Sequence, residues 1–248
     1  MLQISRLATL VLDLLLPPQC LICDAPVLDH GGLCARCFAG MSVLQGPACV
    51  CCAVPFSHPG QGGAGRICPQ CADEPPPWRR AKAALLYDDS SRRLILPLKH
   101  ADRTELAAAL GAMLARVGAS LLETADVLVP VPLHPSRLRA RGYNQSVLLA
   151  HAVGQRSGVK LVRDALVRLR PTQSLGELSA DQRKALISGV VALRKGRGDA
   201  VRGQHVVLVD DVLTSGATAS GCTRALLAAG ARRVDVLVAA RVPDPRLR

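Results

Sequence analysis

Two adjacent carboxylates, Asp210 and Asp211, follow an apolar run and precede a loop of hydroxyls and glycine: residues 206–218 read VVLVDDVLTSGAT. Residues 206–209 read as a buried strand, and a helical pattern opens over 219–229. Thr214, Ser215, Gly216, Ala217 and Thr218 combine hydroxyls with a glycine that lets backbone N–H groups close on an anion. The helix start adds its own N–H groups and the positive end of its dipole. Asp210 and Asp211 would repel a phosphate, but they can accept hydrogen bonds from ribose hydroxyls beside it. The unit therefore suits a ribose 5-phosphate. The plain alternative is a buried strand that ends in a solvated acid pair and a helix cap. The order of apolar run, acid pair and Thr/Ser/Gly loop argues against it.

A second anion-seeking segment, residues 129–146, reads VPVPLHPSRLRARGYNQS. A buried strand runs into Pro130 and Pro132 and then a basic turn, where Arg137, Arg139 and Arg141 alternate with Leu138 and Ala140. Gly142 gives a tight turn, and Asn144 and Gln145 stand at the next helix start. Guanidinium forks and helix-start N–H groups are what a diphosphate needs. A ribose with a diphosphate on C1 and a phosphate on C5 would span the two segments. The competing reading is a solvated basic loop.

Nine of the ten cysteines lie between Cys20 and Cys71. Eight form C-x-x-C pairs: Cys20 and Cys23, Cys34 and Cys37, Cys49 and Cys52, Cys68 and Cys71. A two-residue gap lets both thiolates of a turn face one metal ion, and two such knuckles close a tetrahedral zinc site without an open position. Four knuckles supply two structural zincs. Pairing neighbours is the simplest assignment, and a cross-braced arrangement also fits the spacing. Disulfides fit less well, because the chain lacks an export signal and the repeat is a metal pattern; an iron–sulfur cluster is a smaller rival. Cys51 is a spare thiol that could compete with Cys52, His58 is not needed as a ligand, and Cys222 reads as buried in its helix.

The elements that position these groups follow from the rest of the chain. At 248 residues it accommodates a small and a medium domain, and a 49% apolar content supports a core that, with 2% aromatic residues, must be Leu, Val and Ala. The net charge of +12, carried mostly by Arg, suits a diphosphate, a nucleic acid or simple solubility. No stretch is long and uncharged enough to span a membrane, and residues 1–16, interrupted by Arg6 and Asp13, read as an amphipathic helix packed on the body. A cytoplasmic protein is expected. The Gly-rich loop 57–65 and the stiff Glu74-Pro75-Pro76-Pro77 linker divide a region 1–77 from a region 78–248. Beyond the linker, strands are predicted over 83–87, 127–131, 190–193, 206–209 and 234–240, and helices over 91–96, 105–117, 144–158 and 219–229. The alternation implies an α/β fold, a mostly parallel sheet covered on both faces, with ligands outside the carboxyl ends of the strands.

Residues 206–218 resemble the signature of type I phosphoribosyltransferases, which holds phosphoribosyl pyrophosphate (PRPP). From Leu14 to about Arg241 the chain resembles the ComF family, of the competence-protein-F or GntX type. The likeness runs through DLLLPPQCLIC (13–23), the four knuckles, LILPLKH (94–100), 129–146 and 206–218. It implies a small zinc-ribbon region joined to a phosphoribosyltransferase-like domain, linked to natural transformation or to use of imported DNA. It also implies, as partners, single-stranded DNA and a competence helicase or uptake partner. The family's mobile loop is matched at Arg170, Thr172, Leu178 and Arg183. It departs at Leu175, where Gln is usual and Gln173 stands displaced, at Leu186, where Asn is usual, and at Val190 and Val191, where an aromatic end is usual. That puts acceptor specificity, and catalysis with it, in doubt.

The resemblance implies a site in which Asp210 and Asp211 hold the ribose 3′- and 2′-hydroxyls and stabilise positive charge on the ring, and 214–218 hold the 5-phosphate. Mg2+ accompanies the diphosphate, with Arg137, Arg141, Lys99 or Arg183 assisting the leaving group. Asp210, Asp211 and Arg183 are the candidate catalytic residues; Lys99, Arg137, Arg141, Asn144 and Gln145 are the second-site candidates. The acceptor is open. The rival reading is a DNA-handling adaptor that keeps a PRPP-type pocket without turnover. Zinc ribbons and basic charge favour it, and the scarcity of aromatics argues against binding single strands by base stacking.

Overall fold

The computed structural model describes residues 17–170 and 189–244. The expected helix at 1–16 and the loop positions 172–186, Arg183 among them, lie outside the described residues. The cysteine region has two short helices, α1 (Ala35–Ala39) and α2 (Pro69–Asp73), each opening on a tetrad cysteine, Cys34 and Cys68. In chain order there follow β1 (Ala81–Leu86), α3 (Asp89–His100), α4 (Leu106–Val117), α5 (Ala119–Leu122), β2 (Val127–Pro130), α6 (Pro135–Arg141), α7 (Gln145–Ser157) and β3 (Lys160–Leu161). Then come β4 (Leu166–Arg168), β5 (Val191–Leu193), β6 (His205–Leu213), α8 (Ala217–Ala228) and β7 (Arg233–Arg241).

Strands β1, β7, β6, β2 and β3 form one sheet in that order, and every pair is parallel. Strands buried on both faces need no polar alternation, which explains the continuous apolar runs of β2 and β6. Side chains alternate across the sheet. Val207, Val209 and Leu237 join α3, α4 and α7 in one core through Leu98, Leu110 and Leu149. Val206, Leu208 and Val236 join α8 in the other through Cys222 and Leu226.

The cysteine region straddles the β1 edge. Val43 bridges Leu85 in antiparallel sense, with Leu44 N–H donating to the Ala84 carbonyl at 2.9 Å and Leu86 N–H to the Ser42 carbonyl at 2.8 Å. This covers what would otherwise be an exposed strand edge. On one side Leu21, Ile22 and Leu33 pack against the α3–α4 core. On the other, Ala53 and Trp78 enter the core shared with α8.

Three sequence expectations are corrected. The segment predicted as strand 190–193 does not join the parallel sheet; Val191–Leu193 pairs antiparallel with Leu166–Arg168 in a separate two-stranded sheet. Its residues are only half-buried, as one covered face requires. The basic turn is helix α6: His134 accepts from Ser136 N–H as its cap, Pro135 fills the first helical position, and Gly142 closes it at φ +80°. Strand β6 does not stop before the acid pair but continues to Leu213, because β7 keeps pairing with it through Arg241.

Helices α4 and α7 approach so closely that a Cβ built on Gly111 would overlap the Cβ of Ala152. Gly111→Ala would gain about 1 kcal/mol of helix propensity, against about 1–3 kcal/mol for overpacking. A lower denaturation midpoint at unchanged m-value is expected in urea unfolding.

Candidate functional site

The carboxyl end of β6 meets the start of α7 and the end of α3. Successive strand residues point to opposite faces, so the acid pair is divided between two environments. Asp211, buried on the α3–α7 face, accepts from Gln145 Nε2 at 2.9 Å and pairs with Lys99 Nζ at 3.0 Å. Arg141 in turn donates to Gln145 Oε1. Asp210 Oδ1 accepts from Ser146 Oγ at 3.0 Å and from the Asp211 N–H at 2.9 Å. Burial and the neighbouring Asp211 charge push its carboxyl up to about 7, although Ser146, the Asp211 N–H and Lys99 oppose this. On the α8 face its charge raises the buried Cys222 thiol, an effect second to that thiol's own desolvation. Two carboxylates with one nearby lysine form an acceptor-rich spot that favours hydroxyl donors or added positive charge.

Immediately beyond, Thr214 and Ser215 are exposed, and Gly216 caps α8 at φ +80°, a left-handed conformation that glycine adopts without strain. A glycine cap has no side chain to occupy the first N–H groups of this 12-residue helix. Hydroxyls, loop amides and helix start thus adjoin the acid pair, as the motif requires.

Beside Asp211 lies an open cleft of about 640 Å³, lined by Lys99, His100, Arg137, Arg141 and Gln145 among others. Four of the five second-site candidates therefore share one wall. The fifth, Asn144, is occupied otherwise: its Oδ1 accepts from Ser146 N–H at 2.9 Å, capping α7, and its Nδ2 donates to the Val131 carbonyl at 2.9 Å. It sets the angle at which Gln145 and Ser146 meet the acids.

Sequence reasoning missed Ser146, Arg168, Trp78 and Arg241. Ser146 could have been found, since it follows Gln145 at a helix start. Arg168 sits on β4; burial holds its guanidinium below its usual range, and the charge of Asp210 offsets this in part. Nothing local marks it.

The eight paired cysteines gather as two tetrads, Cys20, Cys23, Cys34 and Cys37, and Cys49, Cys52, Cys68 and Cys71. Neighbouring knuckles pair, and the cross-braced alternative is not formed. Within each tetrad the sulfurs lie within 4.8 Å of one another. Cys23 and Cys34 are 3.7 Å apart, as are Cys52 and Cys68. Four thiolates at about 2.3 Å from a zinc would stand about 3.8 Å apart. The N–H of Cys37 points at Cys34 Sγ at 3.4 Å and that of Cys68 at Cys49 Sγ at 3.3 Å, the hydrogen bonds a thiolate needs. Both tetrads fit structural zinc. The second is wholly buried, whereas in the first only Cys20 is.

Fold and site define a double zinc ribbon joined to a phosphoribosyltransferase-like domain. The double zinc ribbon domain family matches residues 11–72, and the phosphoribosyl transferase domain family matches residues 144–248. The chain is 33% identical over 230 residues to the DNA utilization protein YhgH of Salmonella typhimurium, covering 90% of this chain and 96% of that one. It is 28% identical over 120 residues to competence protein F of Haemophilus influenzae, covering 48% of this chain and 52% of that one. The chain belongs to this family of DNA utilization and competence proteins. Among solved structures, an allosteric regulatory enzyme of purine biosynthesis overlays 53% of this chain on 25% of its own, at 25% identity and a TM-score of 0.37.

Two outcomes are expected. Zinc should be present at two equivalents per chain by elemental analysis, and at one in Cys71→Ser. The second concerns Asp210, whose folded-state pKa of about 7 lies above an unfolded value of about 4. Its folded state holds the extra proton between those values, so its contribution to stability is full below pH 4 and is lost as pH rises through 7. Asp210→Asn, whose oxygen still accepts from Ser146 and Asp211, should therefore exceed the wild type in stability at pH 8 by about 1–3 kcal/mol, and the gap should close toward pH 4 in urea titrations.

Proposed function

We propose that this protein binds Mg2+–PRPP or a related ribose phosphate at the end of β6 and transfers the phosphoribosyl group. The observation that carries this reading is the acid pair joined without interruption to a glycine-capped loop and helix, with a basic cleft at its side. In this reading Asp210 and Asp211 accept from the ribose hydroxyls, and residues 214–218 hold the 5-phosphate. Lys99, Arg137 and Arg141 face the diphosphate, with Arg183 joining them from outside the described residues. The C1–O bond breaks with its electron pair leaving on pyrophosphate, and a lone pair of the acceptor forms the new bond to C1. The carboxylates stabilise the positive charge that grows on the ring. Mg2+ fits this donor set, because an added cation relieves the crowding that raises Asp210. When bound, it neutralises the leaving diphosphate.

The chain is proposed to divide near Pro77 into a ribbon part and a transferase-like part, and to work in the cytoplasm, where thiols stay reduced. The names of its relatives support a role in using imported DNA. A second reading rests on the net charge of +12 and the paired ribbons: a competence adaptor that binds DNA backbone or a helicase-type partner and keeps the pocket without turnover.

Calorimetry with Mg2+–PRPP separates the two. Zinc-replete wild type should bind, Asp210→Ala/Asp211→Ala should not, and Lys99→Met should weaken binding tenfold or more, about what one lost charge-assisted contact gives. Absence of binding to the wild type would sink the transferase reading and leave the adaptor.

A further inference from the structure

The second cysteine tetrad is tied to the loop of the proposed ribose-phosphate site through two side chains. Arg241, at the end of β7, is 7% exposed. Its Nε donates to the carbonyl of Cys52 at 2.8 Å, and its Nη1 to those of Leu213 at 3.0 Å and Thr214 at 2.8 Å. Trp78, 5% exposed, donates from Nε1 to the carbonyl of Cys51 at 2.6 Å. Its ring lies flush on Gly216, so that a Cβ there would come within 2.8 Å of the ring carbon Cη2. One metal-binding knuckle thus presents two consecutive carbonyls, and the side chains they hold end on Leu213, Thr214 and Gly216.

The geometry points to the second tetrad as the positioning element of the phosphate loop, with Arg241 and Trp78 as its two struts. The peptide planes explain how. In a trans peptide the carbonyl of one residue and the N–H of the next point in opposite directions, and the described residues contain no cis bond. Arg241 draws the Leu213 and Thr214 carbonyls to one side, so the N–H groups of Thr214 and Ser215 are turned to the other, where an anion is not met by carbonyl oxygens. Trp78 blocks the volume behind Gly216, which holds the α8 cap in place. A metal ion on Cys49 and Cys52 fixes the turn that carries the two carbonyls. Among the described residues the first tetrad has no such link: its neighbours Leu21, Ile22 and Leu33 pack on the opposite face of the sheet. Coupling between two sites is reciprocal. Zinc in the second tetrad therefore strengthens phosphate binding, and phosphate binding retains that zinc and not the other. The ligand half of this statement rests on the function proposed above; the link between tetrad and loop does not.

The test uses the zinc-loaded full chain. Hydrogen exchange is followed in unliganded wild type, Arg241→Lys and Trp78→Phe, and zinc transfer to a chromophoric chelator is timed with and without ribose 5-phosphate. Both variants should exchange amides 214–217 roughly tenfold faster, in the usual range of such couplings, while β6 amides 206–209 are unchanged. Both should also release one of two zinc equivalents faster. In wild type, saturating ribose 5-phosphate should slow release of that equivalent alone. The inference is overturned if loop exchange stays at the wild-type rate in both variants, or if both zincs respond alike. Trp78→Phe keeps an aromatic side chain in the core while losing the indole N–H and the outer ring carbon over Gly216, so it stands as the test if Arg241→Lys proves unstable. Should wild type fail to bind ribose 5-phosphate while the variants still loosen the loop and one zinc, the proposed function fails and the link stands.

Discussion

Two like charges on adjacent residues at one strand end are the constraint around which this structure is arranged. A strand pleat sends Asp210 and Asp211 to opposite faces, so the close ion pair with Lys99 goes to Asp211, while Asp210 feels that charge only at longer range. Asp211 is compensated from the α3–α7 side by Lys99 and Gln145. Asp210 receives hydrogen bonds from Ser146 and its neighbour's N–H and keeps a raised pKa. In the function proposed above, the hydroxyl donors of a ligand complete the set around that carboxylate. The parallel sheet makes this arrangement possible, because it puts the ends of β2 and β6 and the start of α7 at the same edge.

The ribbons then read as more than an appendage. A sheet whose first strand is an edge must cover it, and the chain does so by crossing that edge between the two tetrads. The crossing places one tetrad on each side. Among the described residues, only the second reaches the carboxyl end of β7, where Arg241 collects carbonyls from the knuckle and from the loop. A buried arginine without a carboxylate partner is costly unless its donors are met, and here backbone oxygens meet them.

What was legible in the sequence was local. The C-x-x-C spacings fix which thiols can share an ion, and the run from Val206 to Thr218 carries strand, acids, loop and helix start in one segment. The boundaries failed where pairing decides them. β6 runs past its acids because β7 continues beside it, and the segment 191–193 joins a second sheet because it pairs antiparallel with 166–168 and with no strand of the parallel sheet. Trp78 and Arg241 were invisible for the same reason. Trp78 meets a carbonyl 27 positions away and Arg241 one 189 positions away, and neither contact leaves a periodic trace.

The strong basic charge gains meaning once its destinations are known. Arg241 is spent on carbonyls. Arg80 and Arg233 serve the buried Asp235, whose carboxyl is held below its usual range by His205 and Arg80 despite burial. These charges are part of the fold and are not offered to a partner. Lys99, Arg137 and Arg141 line an open cleft beside the acid pair, Lys99 pairing there with Asp211 and Arg141 donating to Gln145. A nucleic-acid surface needs cations spaced along a backbone. This cleft instead concentrates them beside Asp211, where the function proposed above puts the diphosphate end of its ligand.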